Sequence, residues 1–194
     1  MSCRASLAIG RCLRIYNVWL LNFYGEICEQ VSLPTNFGVR VSLSPISEGD
    51  ENGALINGYY DPDYRLISVY YDSDSQTWLH ELAHYHQHEE LGDQEFRERT
   101  AKESALVWGQ RPLEREASAL ANKWRADAKV REVVSRYEAV LAGARYLIKF
   151  IKGDVGLPLK ILTNPSFFHK LEPEDLRDTY IRLLVPYREQ GGEK

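Results

Sequence analysis

Residues 80–84 read His80-Glu81-Leu82-Ala83-His84. In a helix, His80 and His84 lie one turn apart on the same face, because positions i and i+4 are neighbours on the helix surface. Two imidazoles placed in this way can bind one zinc ion, and Glu81 then lies beside the metal, where it can take a proton from an activated water. The stretch therefore predicts a zinc site with His80 and His84 as ligands and Glu81 as the general base.

The flanking sequence predicts a helix over residues 75–91. Ser73 and Gln76 have the spacing of a capping box, and Gly92 is a typical stop signal. The side of this helix that faces away from the two histidines carries an apolar stripe, formed by Leu79, Leu82 and Ala83. This amphipathic pattern predicts that the helix packs on the core while its histidines face a cleft.

Two further histidines follow the motif. His86 falls on the apolar side of the helix, which favours a buried and hydrogen-bonded side chain. His88 lies roughly 12 Å along the helix axis from His80, which is too far to share a tetrahedral zinc with it easily. We therefore expect His88 to be a pocket-wall or surface residue.

A catalytic zinc usually has three protein ligands, so a third one must be found elsewhere. A histidine six residues after the second one is excluded, because that position holds Glu90 and the expected glycine turn is replaced by Gln87. The other solution is a glutamate on a later helix, and residues 112–124 have apolar side chains at helical spacing. Glu114 and Glu116 flank this stripe on opposite sides, so helical geometry alone leaves both as candidates.

Residues 116–121, Glu-Ala-Ser-Ala-Leu-Ala, resemble the second motif of the ImmA/IrrE-type zinc metallopeptidases, in which Glu-Ala is followed by Asn or Asp. Ser118 stands at the position of that Asn or Asp, and the resemblance covers residues 53–124. It implies a gluzincin in which Glu116 joins the two histidines as the third zinc ligand. It also implies that the substrate is a protein, in that family often a repressor or another DNA-binding regulator.

The apolar patterning predicts an α+β chain, with a small antiparallel or mixed sheet before the motif helix and a mostly helical C-terminal half. Strands are expected over 39–43, 54–60 and 65–71, and helices over 5–30, 75–91, 94–108, 112–127 and 130–151, with a last helix from Pro173 after irregular residues 157–172. The resemblance implies that this fold is zincin-like. We expect a single domain over 1–194, in which 1–34 form a helical extension, 35–128 the zincin core and 129–194 a helical C-terminal part.

Composition restricts the kind of partner and the location. The net charge of −4 argues against direct binding of nucleic acid. The three cysteines (Cys3, Cys12 and Cys28) are odd in number and have no Cys-x-x-Cys spacing, which favours a reducing, cytoplasmic location over a disulfide framework. Two arginines interrupt the apolar segment 7–23, so no membrane span is expected.

The expected activity is zinc-assisted hydrolysis of a peptide bond. In the resembling family, the strand before the motif helix borders the cleft and aligns an extended substrate at its edge, which places this role within residues 65–71. The alternative is that this strand is simply paired within the sheet, although an edge strand could do both. Candidate donors to the developing oxyanion are Tyr59, Tyr60, Tyr70, Tyr71 and His169.

Two other functions are compatible with the same residues. One is a non-catalytic protein-interaction module that holds a structural zinc ion, although such a module has no need of Glu81. The other is a metal-dependent hydrolase that acts on a bond other than a peptide bond. Loss of Glu81 should abolish the function of a hydrolase but not that of an interaction module. A substrate screen should distinguish a peptidase from a hydrolase of another bond.

Overall fold

The computed structural model describes residues 3–45 and 56–153. In this part, helices and a small mixed sheet form an α+β protein with mostly helical content, as the sequence predicts. The elements are α1 (Cys3–Val31), β1 (Gly38–Ser42), β2 (Gly58–Asp61), β3 (Leu66–Tyr70), α2 (Ser75–Leu91), α3 (Asp93–Glu103), a 3₁₀ turn (Trp108–Gln110), α4 (Pro112–Ala126) and α5 (Ala128–Lys152).

The chain divides into two compact units, one of residues 13–141 and one of residues 1–12 with 142–194. The expected boundaries after residues 34 and 128 both fall inside the first unit. In the second unit, Ile9, Ala144 and Ile148 are buried. The expected helix from Pro173 and the irregular segment 157–172 lie outside the described residues.

The three strands pair in the order β1-β3-β2, with β1 parallel and β2 antiparallel to β3. A tight turn joins β2 to β3, in which the Asp61 carboxylate accepts the backbone N–H groups of Asp63 and Tyr64 at 3.0 and 3.3 Å. The inner strand is therefore β3, and β2 lies at an edge among the described strands. The expectation that residues 65–71 form the edge of the cleft is wrong, because β1 pairs with them on the other side.

Helix α2 has the predicted bounds, but its N-terminal cap differs from the prediction. Asp74, rather than Ser73, caps the helix, and its carboxylate accepts both the backbone N–H and the hydroxyl of Thr77 at 2.9 Å. At the other end, Gly92 adopts φ 78°, and its N–H donates to the His88 carbonyl at 2.9 Å. This left-handed conformation suits glycine and ends the helix as predicted.

The apolar face of α2 lies in an aromatic core. Trp78 is fully buried and its ring lies 5.3 Å from that of Phe23 on α1, while Tyr24 donates a hydrogen bond to the Trp78 carbonyl at 3.1 Å. Further along the helix, the Tyr85 ring packs 4.7 Å from that of Phe37. Burial of each such side chain stabilises the fold by about 1.5–3 kcal/mol, which holds α2 at a fixed depth. The predicted apolar stripe is confirmed, since Leu79, Leu82 and Ala83 are all fully buried.

Helix α4 packs on α2 through small and apolar side chains. The predicted apolar stripe of this helix comprises Leu113, Ala117, Leu120, Ala121 and Trp124. All of them are buried except Leu120, which is only half-buried. Helix α3 ends at Glu103, before the predicted end at residue 108, because the chain turns back there. The Glu103 carboxylate accepts the N–H of Leu113 at 2.9 Å, and Arg111 Nε donates to the Leu106 carbonyl at 3.0 Å. Residues 104–111 are called the α3–α4 loop below.

Burial also determines the protonation of two cysteine thiols on α1. Cys12 and Cys28 are free and buried, and burial raises the pKa of the Cys28 thiol to about 12. Such a thiol stays protonated and is a poor metal ligand. None of the helices in residues 3–45 and 56–153 combines the length and the apolarity needed to cross a membrane.

Candidate metal centre

Three ligand-type atoms converge where α4 packs on α2. Nε2 of His80 and Nε2 of His84 are 3.2 Å apart, and Oε2 of Glu114 lies 3.1 and 3.3 Å from them. A tetrahedral zinc bound at about 2.0 Å places its ligand atoms about 3.3 Å apart. The triangle of His80, His84 and Glu114 therefore has the dimensions of one face of a zinc site and could hold a metal ion.

Glu116, the third ligand implied by the family resemblance, is not part of this group. Its side chain is 56% exposed, and its Oε2 lies 3.8 Å from Arg99 Nη1. The rotation of α4 is set by its buried side chains, Leu113 and Ala117 among them, and this rotation turns Glu114 toward the imidazoles. The candidate ligand is thus corrected from Glu116 to Glu114.

A buried amide orients the His84 ring. Nδ1 of His84 lies 2.9 Å from Oε1 of Gln87, and Nε2 of Gln87 donates to the Leu113 carbonyl at 2.9 Å. Because that carbonyl only accepts, the amide of Gln87 must point its oxygen at His84, so Nδ1 carries a proton. The Nε2 lone pair of a neutral His84 then points at Glu114, as metal ligation requires. Gln87 was not predicted from the sequence, although it follows His84 by three residues on the same side of the helix.

His80 has an outer partner of its own. Oγ of Ser118 lies 3.3 Å from Nδ1 of His80. Ser118 follows Glu114 by one helical turn, so both side chains lie on the face of α4 that meets α2. It also stands where the resembling motif has Asn or Asp. The sequence signal that distinguishes the two glutamates is the residue four positions later. This residue is the polar Ser118 for Glu114 but the apolar Leu120 for Glu116.

The three converging atoms need a positive charge between them. A carboxylate oxygen and a neutral Nε2 both accept hydrogen bonds, so at 3.3 Å they repel unless a proton or a cation lies between them. In the metal-free protein, burial would raise the pKa of Glu114, but hydrogen bonds from His80 and His84 outweigh it and lower the pKa to about 2. A divalent cation satisfies the same three atoms without protonating the imidazoles, so the donor set fits a metal.

Glu81 is buried beside this group. Burial raises the pKa of its carboxyl to about 8; His80 and the Tyr60 backbone N–H act in the opposite direction, and Glu114 adds to the rise. The carboxyl lies against β2 at Gly58, where a Cβ atom would approach Thr77 Cγ2 to 2.8 Å and Glu81 Oε1 to 3.1 Å. Position 58 therefore needs glycine for strand and helix to approach this closely.

The group opens into a cleft of about 750 Å³. His80, Glu81, His84 and Glu114 all line it, so the candidate ligands and the candidate base share one solvent-accessible space. Strand β2 contributes Gly58, Tyr59 and Tyr60 to the lining, and α3 with the chain that follows it contributes Phe96, Trp108 and Leu113. The edge strand β2, rather than β3, thus borders the candidate metal centre.

The hydrogen bonds and the lining of the cleft reduce the number of predicted oxyanion donors that remain candidates. The Tyr60 hydroxyl lies 2.7 Å from Nδ1 of His88, whose Nε2 lies 3.2 Å from the Asp93 carboxylate. In neutral His88 the Asp93 carboxylate accepts from Nε2–H, so Nδ1 accepts the hydrogen bond that the Tyr60 hydroxyl donates. Tyr59 also lines the cleft, and its hydroxyl accepts a hydrogen bond from the Arg40 guanidinium. Tyr70 and Tyr71 are not among the described lining residues, and His169 lies outside the described part of the chain.

The two other histidines of α2 differ from their expected settings. His88 is only 1% exposed and is stacked on the Phe96 ring at 5.0 Å, so its assignment to the pocket wall or the surface is wrong. It links β2, α2 and α3 through Tyr60 and Asp93. His86 is only partly buried, and its ring lies 5.7 Å from that of Trp124.

Comparison of the chain with protein-family models, with curated proteins and with solved structures gives no match. The chemistry of the centre therefore rests on its own geometry.

The raised pKa of Glu81 predicts how the stability of the metal-free protein depends on pH. A carboxyl whose pKa rises from 4.5 to about 8 on folding stabilises the fold fully below pH 4.5, and this contribution is lost as the pH rises through about 8. The difference corresponds to roughly 5 kcal/mol, as an upper limit, because water can enter the cleft. The melting temperature of Glu81→Gln relative to wild type should therefore increase from about pH 5 to about pH 9 in the presence of a chelator.

Glu116→Gln is the matched control, since its carboxylate is mainly exposed. Its melting temperature relative to wild type should stay nearly constant over the same pH range. If the melting temperature of Glu81→Gln relative to wild type also stays constant with pH, Glu81 is not buried in its protonated form.

The contact between Ser118 and His80 predicts that substitutions at position 118 change the affinity for metal. A carboxylate accepts a hydrogen bond from an imidazole more strongly than a hydroxyl does, and outer partners of this kind change metal affinity by about 10–100-fold. Ser118→Asp should therefore bind zinc about tenfold more tightly than wild type, and Ser118→Ala more weakly, in competition with a chromophoric chelator. Ala119→Asp adds the same charge on the exposed side of α4 and should change affinity little. An equal gain in zinc affinity for Ser118→Asp and Ala119→Asp would show a long-range effect of the added charge instead.

Proposed function

We propose that this chain is a zinc-dependent metallopeptidase that hydrolyses peptide bonds of a protein substrate. The proposal is carried by one observation, the convergence of His80, His84 and Glu114 within 3.3 Å of one another, with Glu81 buried beside them in the same cleft. Ligands and base lie on two packed helices, so their positions are fixed before any substrate binds.

The donor set favours zinc and a catalytic rather than a structural site. Two imidazoles and a carboxylate are ligands that zinc accepts readily, and a site with three protein ligands leaves a fourth position for water or substrate. Structural zinc sites usually have four protein ligands, and these are often cysteines. When bound, zinc lowers the pKa of water and polarises a carbonyl group.

Glu81 has the environment of a group that accepts and later releases a proton. Its raised pKa of about 8 reflects a pocket that tolerates the protonated carboxyl, while a nearby cation favours the carboxylate before reaction. The same side chain can therefore take a proton from the attacking water and deliver it to the leaving amine. The Tyr60 backbone N–H and the close contact with Gly58 hold the carboxyl in place between these two steps.

The edge position of β2 supports a peptide as the substrate. An extended peptide can add to an edge strand through its own backbone, and β2 lies on the border of the cleft that holds the metal group. The order of sheet, motif helix and ligand helix also supports a zincin-like fold of the ImmA/IrrE type, with Glu114 as the third ligand. The resemblance to that family would make a regulatory protein the substrate.

The test is zinc content measured together with proteolysis. Wild type should bind about one zinc per chain, His80→Ala should bind none, and the zinc-loaded wild type should cleave an unfolded protein such as reduced casein until a chelator is added. Absence of zinc from wild type after zinc is supplied would end the proposal. Stoichiometric zinc with no cleavage of folded or unfolded proteins would favour an interaction module.

A further inference from the structure

The α3–α4 loop exposes three consecutive apolar side chains. Leu106, Val107 and Trp108 are 39%, 46% and 47% exposed. Single exposed apolar residues are ordinary, but a contiguous group at the border of a polar cleft is typical of a binding surface. Trp108 itself lines the cleft of the metal centre.

Hydrogen bonds fix the conformation of this loop. The N–H groups of Gln110 and Arg111 donate to the carbonyls of Val107 and Trp108 at 2.8 and 3.1 Å. The Arg111 guanidinium also donates from Nε to the Leu106 carbonyl at 3.0 Å. The apolar side chains are thus presented by an ordered turn.

The Trp108 ring lies against a metal-ligand candidate. Its centroid is 6.1 Å from that of the His80 ring, and the two planes are inclined by 38°. A substrate group bound on the open face of Trp108 would lie within one side-chain length of the reacting bond. Phe96 and Leu113 also line this cleft, so the surroundings of Trp108 include further apolar surface.

We propose that Trp108 is a specificity-determining residue, which binds a large aliphatic or aromatic side chain of the substrate residue adjacent to the cleaved bond. This inference rests on the proposed peptidase function. An aromatic ring could also attract a basic side chain, but Arg111 keeps a positive charge on the same loop. An uncharged apolar side chain gains from burial against the ring without meeting that charge.

The first test measures turnover with matched peptides. A set of internally quenched peptides differs at one position beside the cleaved bond, which carries Phe, Leu, Ala, Asp or Arg. Wild type should prefer Phe and Leu over Ala by about tenfold or more in kcat/KM, mainly through KM. Trp108→Ala should lose this preference for Phe and Leu over Ala, whereas Trp108→Phe should keep most of it. Val18→Ala, which changes an exposed apolar residue on α1, should behave as wild type.

The second test measures binding without turnover. Zinc-loaded Glu81→Gln should bind the labelled Phe peptide about tenfold more tightly than the Ala peptide in fluorescence anisotropy, and the added Trp108→Ala change should remove the difference. Failure of all peptides to be cleaved would count against the peptidase function, while this binding difference would still support the subsite. Preference for Arg, or a Phe preference that survives in Trp108→Ala, would overturn the assignment of Trp108.

Discussion

Replacing Glu114 with alanine is expected to empty the metal site, while replacing Glu116 with alanine should leave it full. Oε2 of Glu114 lies within 3.3 Å of both imidazole nitrogens, whereas Glu116 is mainly exposed and its Oε2 lies 3.8 Å from Arg99 Nη1. Loss of an outer partner alone weakens metal binding about 10–100-fold, so removal of a direct ligand should exceed the top of that range. Zinc content after dialysis, together with affinity from chelator competition, measures the difference.

The two glutamates make an internal control, because they lie two residues apart on one helix and carry the same charge. Circular dichroism and melting temperature should show that both variants fold. Loss of the exposed Glu116–Arg99 pair should change stability by less than about 1 kcal/mol. Zinc retained in Glu114→Ala and lost in Glu116→Ala would reverse the ligand assignment and would require α4 to rotate on α2.

Replacing Glu81 with glutamine is expected to abolish turnover and to retain zinc. Glutamine has nearly the same shape but cannot accept the proton of the attacking water, and general acid–base catalysis of this kind contributes roughly 10²–10⁴-fold to the rate. The loss should appear in kcat, with KM nearly unchanged, since Glu81 acts on the reacting proton rather than on substrate binding. Initial rates on the preferred peptide, with metal content measured in the same samples, test this.

Glu116→Gln again provides the control, because it removes one carboxylate from α4 without touching the cleft. Its kcat should equal that of wild type. Full activity of Glu81→Gln at unchanged zinc content would remove Glu81 from the mechanism and would leave the activation of water to the metal alone.

The motif helix and its two histidines could be predicted from sequence because the relevant interactions are local. The i,i+4 spacing of His80 and His84 fixes their relative position once the segment is helical, and Gly92 fixes where it ends. Burial of Leu79 and Leu82 likewise follows from periodicity within the same helix. None of these features depends on how the remaining elements are arranged.

The third ligand and the edge strand depend on tertiary packing, and sequence patterns could not decide them. Glu114 and Glu116 both border the apolar stripe of α4, and only the rotation of α4 on α2 turns Glu114 inward. Strand order was equally hidden, because β1 pairs with β3 rather than with its neighbour in sequence, β2. His88 was misassigned because its partners Tyr60 and Asp93 come from two other elements.

The Gln87 amide has a consequence for the order in which the protein assembles. It joins the His84 imidazole to the Leu113 carbonyl at the start of α4, while Glu114 comes from that same helix. A chain in which α2 has formed but α4 has not yet docked therefore has neither the third ligand nor the group that sets the His84 tautomer. High-affinity metal binding is therefore expected only after α4 has docked, late in folding. A peptidase of the proposed kind would then stay inactive in a nascent or partly unfolded chain.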